Sequence, residues 1–95
     1  MSDLREKISR ATADLYRLEQ GWAPGEEELS TAPLLDGWYY ARHPHSGDLC
    51  LCGRVSGHPR LSDLITTSPL LAIDASAGWA RTLSRWYRLG APDPE

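Results

Sequence analysis

The 95-residue chain has no phenylalanine, one lysine, one methionine and two cysteines. Each scarcity excludes a class of molecule. Cys50 and Cys52, with one residue between them, cannot frame the disulfide scaffold of a small secreted domain. No stretch approaches the ~18 consecutive apolar residues that span a bilayer. The opening Met1-Ser2-Asp3-Leu4-Arg5-Glu6-Lys7 lacks the apolar run of a signal peptide. A soluble protein of the reducing cytoplasm, without membrane contact, is expected. The formal net charge of -3 gives no basic excess for coating nucleic acid, and it is too small to imitate the charge density of DNA.

What is present fits a globular fold. Apolar residues make up 41% and charged residues 24%, so the composition is that of a chain able to bury a core. One domain of this length buries about 65% of its unfolded surface, which leaves little core to give up to a deep catalytic cleft. The aromatics are four tryptophans and four tyrosines, rings that suit both half-buried core edges and interfaces. Acids dominate residues 1–48 while residues 49–95 are slightly basic, which predicts two different surfaces.

The clearest element is the first. Leu4, Ile8, Ala11, Leu15 and Leu18 recur at helical spacing, with Asp3 and Glu6 placed as a capping box and Gly21 as a stop. Asp3–Lys7 and Glu6–Arg10 add favourable i,i+4 pairs. The stripe is too short for a coiled coil, so one helix packed on a sheet is predicted. Ala23-Pro24-Gly25 turns the chain into a short acidic helix at Glu26–Leu29, ended by Ala32-Pro33. Asp36-Gly37 reads as a turn before a strand at Trp38–Arg42. Further strands follow at Leu49–Val55, at Leu64–Ile73 with Pro69 as an edge or bulge, and at Trp79–Leu89. The last run also has helical periodicity, but the hairpin loop Asp74–Gly78 before it favours a strand. The expected architecture is α+β: an N-terminal helix and a short second helix packed on a four-stranded antiparallel sheet. Residues 1–90 would form the single domain and 91–95 a flexible tail.

Four groups of residues carry candidate chemistry. His43, His45, Cys50, Cys52 and His58 offer the donors of a tetrahedral zinc site. One residue between the cysteines is tighter spacing than structural sites use, and a buried apolar pair explains them better. Ser56 beside His58 lacks the strained elbow of a serine nucleophile, and no phosphate-binding glycine loop occurs. No catalytic residue, metal or cofactor is therefore assigned. Arg81, Arg85 and Arg88 alternate with Trp79, Trp86 and Tyr87, a pattern that clamps phosphates and stacks bases. The ordinary alternative is a strand whose arginines pair with the acidic half and whose rings lie under the helix. Glu26, Glu27, Glu28 and Asp36 beside Trp38 and Tyr40 combine acids and rings in a way that suits a basic protein groove.

Four stretches resemble a family of small uncharacterised bacterial proteins. They are Thr31–Trp38, Gly53–Leu61, Thr67–Leu70 and, most specifically, Gly78-Trp79-Ala80-Arg81-Thr82-Leu83-Ser84-Arg85-Trp86-Tyr87-Arg88-Leu89-Gly90. The likeness spans about residues 31–90 and leaves out the first helix. In overall character the chain also resembles phage- or prophage-encoded anti-CRISPR proteins acting on type I systems. That resemblance implies a non-catalytic inhibitor that binds the RNA-guided surveillance complex, Cascade, and stops it engaging target DNA. The alternative reading is a small nucleic-acid-binding regulator using Arg81, Arg85 and Arg88.

Overall fold

A computed structural model describes residues 3–94. The elements are α1 (Asp3–Glu19), α2 (Glu26–Leu29), β1 (Leu34–Arg42), β2 (Leu49–Ser56), β3 (Asp63–Thr66), β4 (Leu70–Asp74), β5 (Trp79–Thr82) and β6 (Trp86–Leu89). The α+β class and the N-terminal helix are as expected. The sheet is not four-stranded and antiparallel. It is a mixed sheet of six strands in the order β3-β2-β1-β6-β5-β4, with β1 and β6 parallel.

Two local causes account for the extra strands. Pro69 has no amide to give a ladder, so the run from Leu64 to Ile73 breaks there into β3 and β4. The run from Trp79 to Leu89 breaks because Thr82 folds it back. Its amide donates to the Arg85 carbonyl at 2.9 Å, and its buried hydroxyl donates to the same oxygen at 3.2 Å. The turn at Leu83–Arg85 then joins the β3–β4 junction, through Leu83 N–H to Pro69 O at 2.8 Å and Ser84 N–H to Ser68 Oγ at 3.1 Å.

All six strands feed one core. Leu35, Trp38, Leu51, Val55, Ala80 and Tyr87 are its buried members, with Ile65, Leu70, Ile73 and Leu89 packed against them. A flat sheet could not bring Ile65 and Leu70, from its two opposite edge strands, into one cluster. The sheet instead curls until β4 meets β2, so it has an inner face and an outer face.

Asp36-Gly37, expected as a turn, lies within β1 as a bulge. The register against β2 slips by one residue between Asp36 and Tyr39, and Gly37 takes φ 59°. Opposite the bulge, a Cβ on Gly53 would stand 3.0 Å from the Asp36 carbonyl and 3.1 Å from the Trp38 Cα. Glycine is needed there for close strand approach. Beyond β6 the chain is hydrogen-bonded along β1 as far as Asp93. Gly37 N–H donates to Ala91 O at 2.8 Å, Asp93 N–H to Trp38 O at 2.9 Å, and Ala91 N–H to the Asp36 carboxylate at 3.0 Å.

Only the second half of the α1 stripe packs. Ala11 is buried and Leu15 and Leu18 are half-buried, whereas Leu4 and Ile8 are exposed. Among the described residues no helix is long and apolar enough to cross a membrane.

Candidate functional site

The outer face of β5 and β6 is covered, and the cover is built around a buried charge. Arg81 and Trp86 are cross-strand partners, as are Trp79 and Arg88, so these four side chains share the outer face. Arg81 is only 3% exposed. Its Nε lies 2.9 Å from Asp14 Oδ2 on α1, and Asp14 also accepts from Arg17 one turn further on. α1 is thereby seated on the sheet by one carboxylate held between two guanidiniums.

Gly21 ends α1 at φ 92°, with Gly21 N–H bonded to Leu18 O and Trp22 N–H to Arg17 O at 3.0 Å. That reversal places the Trp22 ring under Arg17, whose guanidinium carbon stands 3.8 Å from the ring centre. Trp22 packs on Trp86 at 5.9 Å and Trp86 edge-on to Trp79 at 5.5 Å. On the other flank, Arg88 Nε donates to Ala32 O at 2.9 Å and fastens the segment after α2 to β6.

Between α1, the α2 segment and the β5–β6 turn a cavity of about 460 Å³ remains. Arg10, Arg17, Arg81 and Arg85 line it, with Asp14, Glu28 and one side of Trp86. Burial pulls the Arg81 pKa below its ordinary value. Asp14 opposes that shift, while Arg10 and Arg17 pull the same way as burial. Glu28 is partly engaged, accepting from Gly25 N–H at 3.0 Å.

The outer face of β1, β2 and β3 is different. Tyr39, Cys52 and Thr66 form one cross-strand row, and Asp36, Arg54 and Leu64 form the next. Tyr39 is 47% and Leu64 69% exposed. They edge a shallow depression of about 160 Å³ floored by Cys52 and Gly53. Asp63 pairs with Arg54 at 2.7 Å. The Tyr39 hydroxyl is pushed above its ordinary pKa by Cys52 first, then by slight burial and by Asp93.

The residues singled out in the sequence are dispersed. Trp38 lies in the core with Nε1 donating to Gly90 O at 3.0 Å, and Tyr40 stands edge-on to it at 5.7 Å. Asp36 holds Ala91, and Glu28 lines the arginine cavity while Glu26 and Glu27 stay exposed on α2. Of the three arginines, Arg81 and Arg85 meet at the cavity and Arg88 is tied to Ala32. The ordinary reading of this stretch describes Arg81, paired with Asp14 of the acidic half. The His and Cys residues are not gathered. Among the described residues no three His, Cys, Asp or Glu side chains could hold a metal together. Cys50 is buried, which raises its thiol pKa, with Cys52 and Asp48 adding to the rise. His58 sits by Tyr87, its Nδ1 accepting from the amides of Arg60 and Leu61 at 3.0 and 3.1 Å.

Asp14, Arg17 and Leu64 were not assigned from the sequence. Asp14 had a signal: it is an acid on the packed side of α1, three residues after Ala11 and four before Leu18. Leu64 had none, because its exposure depends on where β3 begins.

No curated protein and no solved structure matches the chain. A family described as "Family of unknown function (DUF6634)" matches residues 4–93, and so includes the first helix that the sequence resemblance left out. The chain belongs to this family, DUF6634.

Proposed function

We propose that the chain is a non-catalytic protein-binding domain that docks a partner of basic surface on the outer face of β1–β2–β3. The observation that carries the reading is the exposure of Tyr39 and Leu64 around one shallow depression. An aromatic and an aliphatic anchor with charge at the rim is the anatomy of an interface hot spot. Asp36 and Asp93 supply negative charge around it, while Asp63 and Arg54 neutralise each other. Such a rim steers a basic partner and makes association weaken as salt rises.

The partner to test first is the type I surveillance complex Cascade, whose target-DNA groove has the required basic character. Support for that target is the overall character of the chain; the geometry supports only the chemistry of the surface. Binding there would block DNA engagement without turnover, in the cytoplasm of a bacterial cell. A nucleic-acid reading finds less support, since Arg81 is buried and Arg88 is held by Ala32, so the three arginines form no exposed track.

The test is capture of purified, nuclease-treated type I complex by the tagged chain. The reading expects the subunits to be retained, and to be lost with Tyr39→Ala plus Leu64→Ser while Glu26→Gln plus Glu27→Gln binds normally. Loss in the Glu26/Glu27 variant alone moves the interface to α2 and rejects this face. Failure to bind any form removes Cascade as the target.

A further inference from the structure

We infer that the cavity between α1, the α2 segment and the β5–β6 turn binds a small phosphate-bearing anion. It is a second site, separate from the docking face. Its centre is Arg81, whose side chain is 4% exposed and whose Nε is ion-paired with Asp14 Oδ2 at 2.9 Å but poorly aligned for a hydrogen bond to it. A guanidinium so far removed from water requires full compensation by charge and hydrogen bonds. Asp14 cannot supply it alone, because it is shared with Arg17. Arg85 faces the same cavity and, among the described residues, has no carboxylate partner. Arg10 adds a further charge at the mouth, though its exposed pair with Glu6 tempers it.

Glu28 also lines the cavity, so Asp14 and Glu28 stand against Arg10, Arg17, Arg81 and Arg85, and the positive excess that remains identifies the ligand class. Guanidinium forks match the paired oxygens of phosphate, and a phosphate monoester carries ~1.5 to 2 negative charges near neutral pH. The volume of about 460 Å³ falls in the range of small-molecule sites and is open enough for entry from solvent. The hydroxyl-bearing Thr31 and Ser84 line it as well, which offers donors to phosphate oxygens that the arginines do not reach. Arg10 and Arg17 also act on Arg81 in the direction that an added anion would reverse.

The experiment is titration of the full chain with inorganic phosphate and with phenyl phosphate at constant ionic strength set by chloride. The readouts are the Arg81 Nε–H resonance and the melting midpoint. Either anion is expected to move that resonance and raise the midpoint, where chloride does neither. Tighter binding of phenyl phosphate identifies an ester ligand, and equal binding identifies the free ion. Arg85→Ala is expected to weaken binding by about ten- to a hundredfold, the effect of losing one charge-assisted contact, with Arg85→Lys recovering part of it. Because Arg85 lies in the turn and not under α1, this variant keeps the fold testable. An unmoved Arg81 signal, or Arg85→Ala binding as wild type, overturns the inference. So does a single-stranded oligonucleotide that binds more tightly than either phosphate.

Discussion

The two outer faces of the curled sheet differ in what covers them. Over β5 and β6 lie α1, Trp22 and the segment after α2, with Arg81 paired to Asp14, Trp86 packed between Trp22 and Trp79, and Arg88 bonded to Ala32. Over β1, β2 and β3 the side chains of Tyr39 and Leu64 are exposed. The aromatic residues divide by ring type. All four tryptophans are buried or half-buried, whereas Tyr16, Tyr39 and Tyr40 are exposed and only Tyr87 joins the core. The fold thus buries its indoles and leaves three of its four phenols on the surface, where an amphipathic ring gains from an incoming partner.

The sharpest way to break this contrast is Asp14→Ala. It strands a buried guanidinium, so a loss of about 3–5 kcal/mol is expected by chemical denaturation. Replacing the pair together, with Asp14→Leu and Arg81→Met, should recover most of that loss. Failure to recover it would show that α1 is held by something other than this charge. Gly53→Ala should come next, at about 1–3 kcal/mol, since a methyl group there crowds the backbone of the β1 bulge.

A smaller effect is expected from pH. Burial lowers the His58 pKa below 6.5, with Arg85 and Arg60 acting in the same sense. Below about pH 6.5 the unfolded imidazole takes up a proton that the folded ring resists, so protons favour unfolding there. Stability should be level above that pH and decline beneath it until the folded ring itself titrates. His58→Gln should flatten this part of a melting curve series; an unchanged slope would assign it to other groups. The smallest effect on stability belongs to the open face. Tyr39→Ala with Leu64→Ser should shift the denaturation midpoint by no more than about 0.5 kcal/mol for each change, as surface substitutions do. A large loss would mean that this face is structural after all.

Much of the architecture was legible in the sequence because local rules agreed with the final packing. Gly21, the acidic second helix, the His43–Asp48 loop and the Asp74–Gly78 hairpin loop all stand where turn and cap chemistry put them. The misread parts were decided by distant partners. Asp36-Gly37 resembles a turn locally, but its place in β1 depends on pairing with Arg54 and on the close approach of Gly53. The division of the last run depends on Thr82 reaching across to Arg85, and curling of the sheet appears in no single strand's periodicity. The site was read less well for the same reason. Trp38 and Tyr39 are neighbours in an aromatic run, and only the bulge decides which is core and which is surface. Arg81 could be marked as special, but its partner Asp14 is far away in the sequence.

The central claim is that a protein is bound on the open face. The most direct measurement is site-specific photo-crosslinking in cells of the native host, with p-benzoylphenylalanine placed at Tyr39 and, as a control, at Ala75 in the β4–β5 turn. The account predicts a discrete protein adduct from position 39, absent from position 75 and abolished by Leu64→Ser. Equal adducts from both positions, adducts only with nucleic acid, or none from position 39 would contradict it.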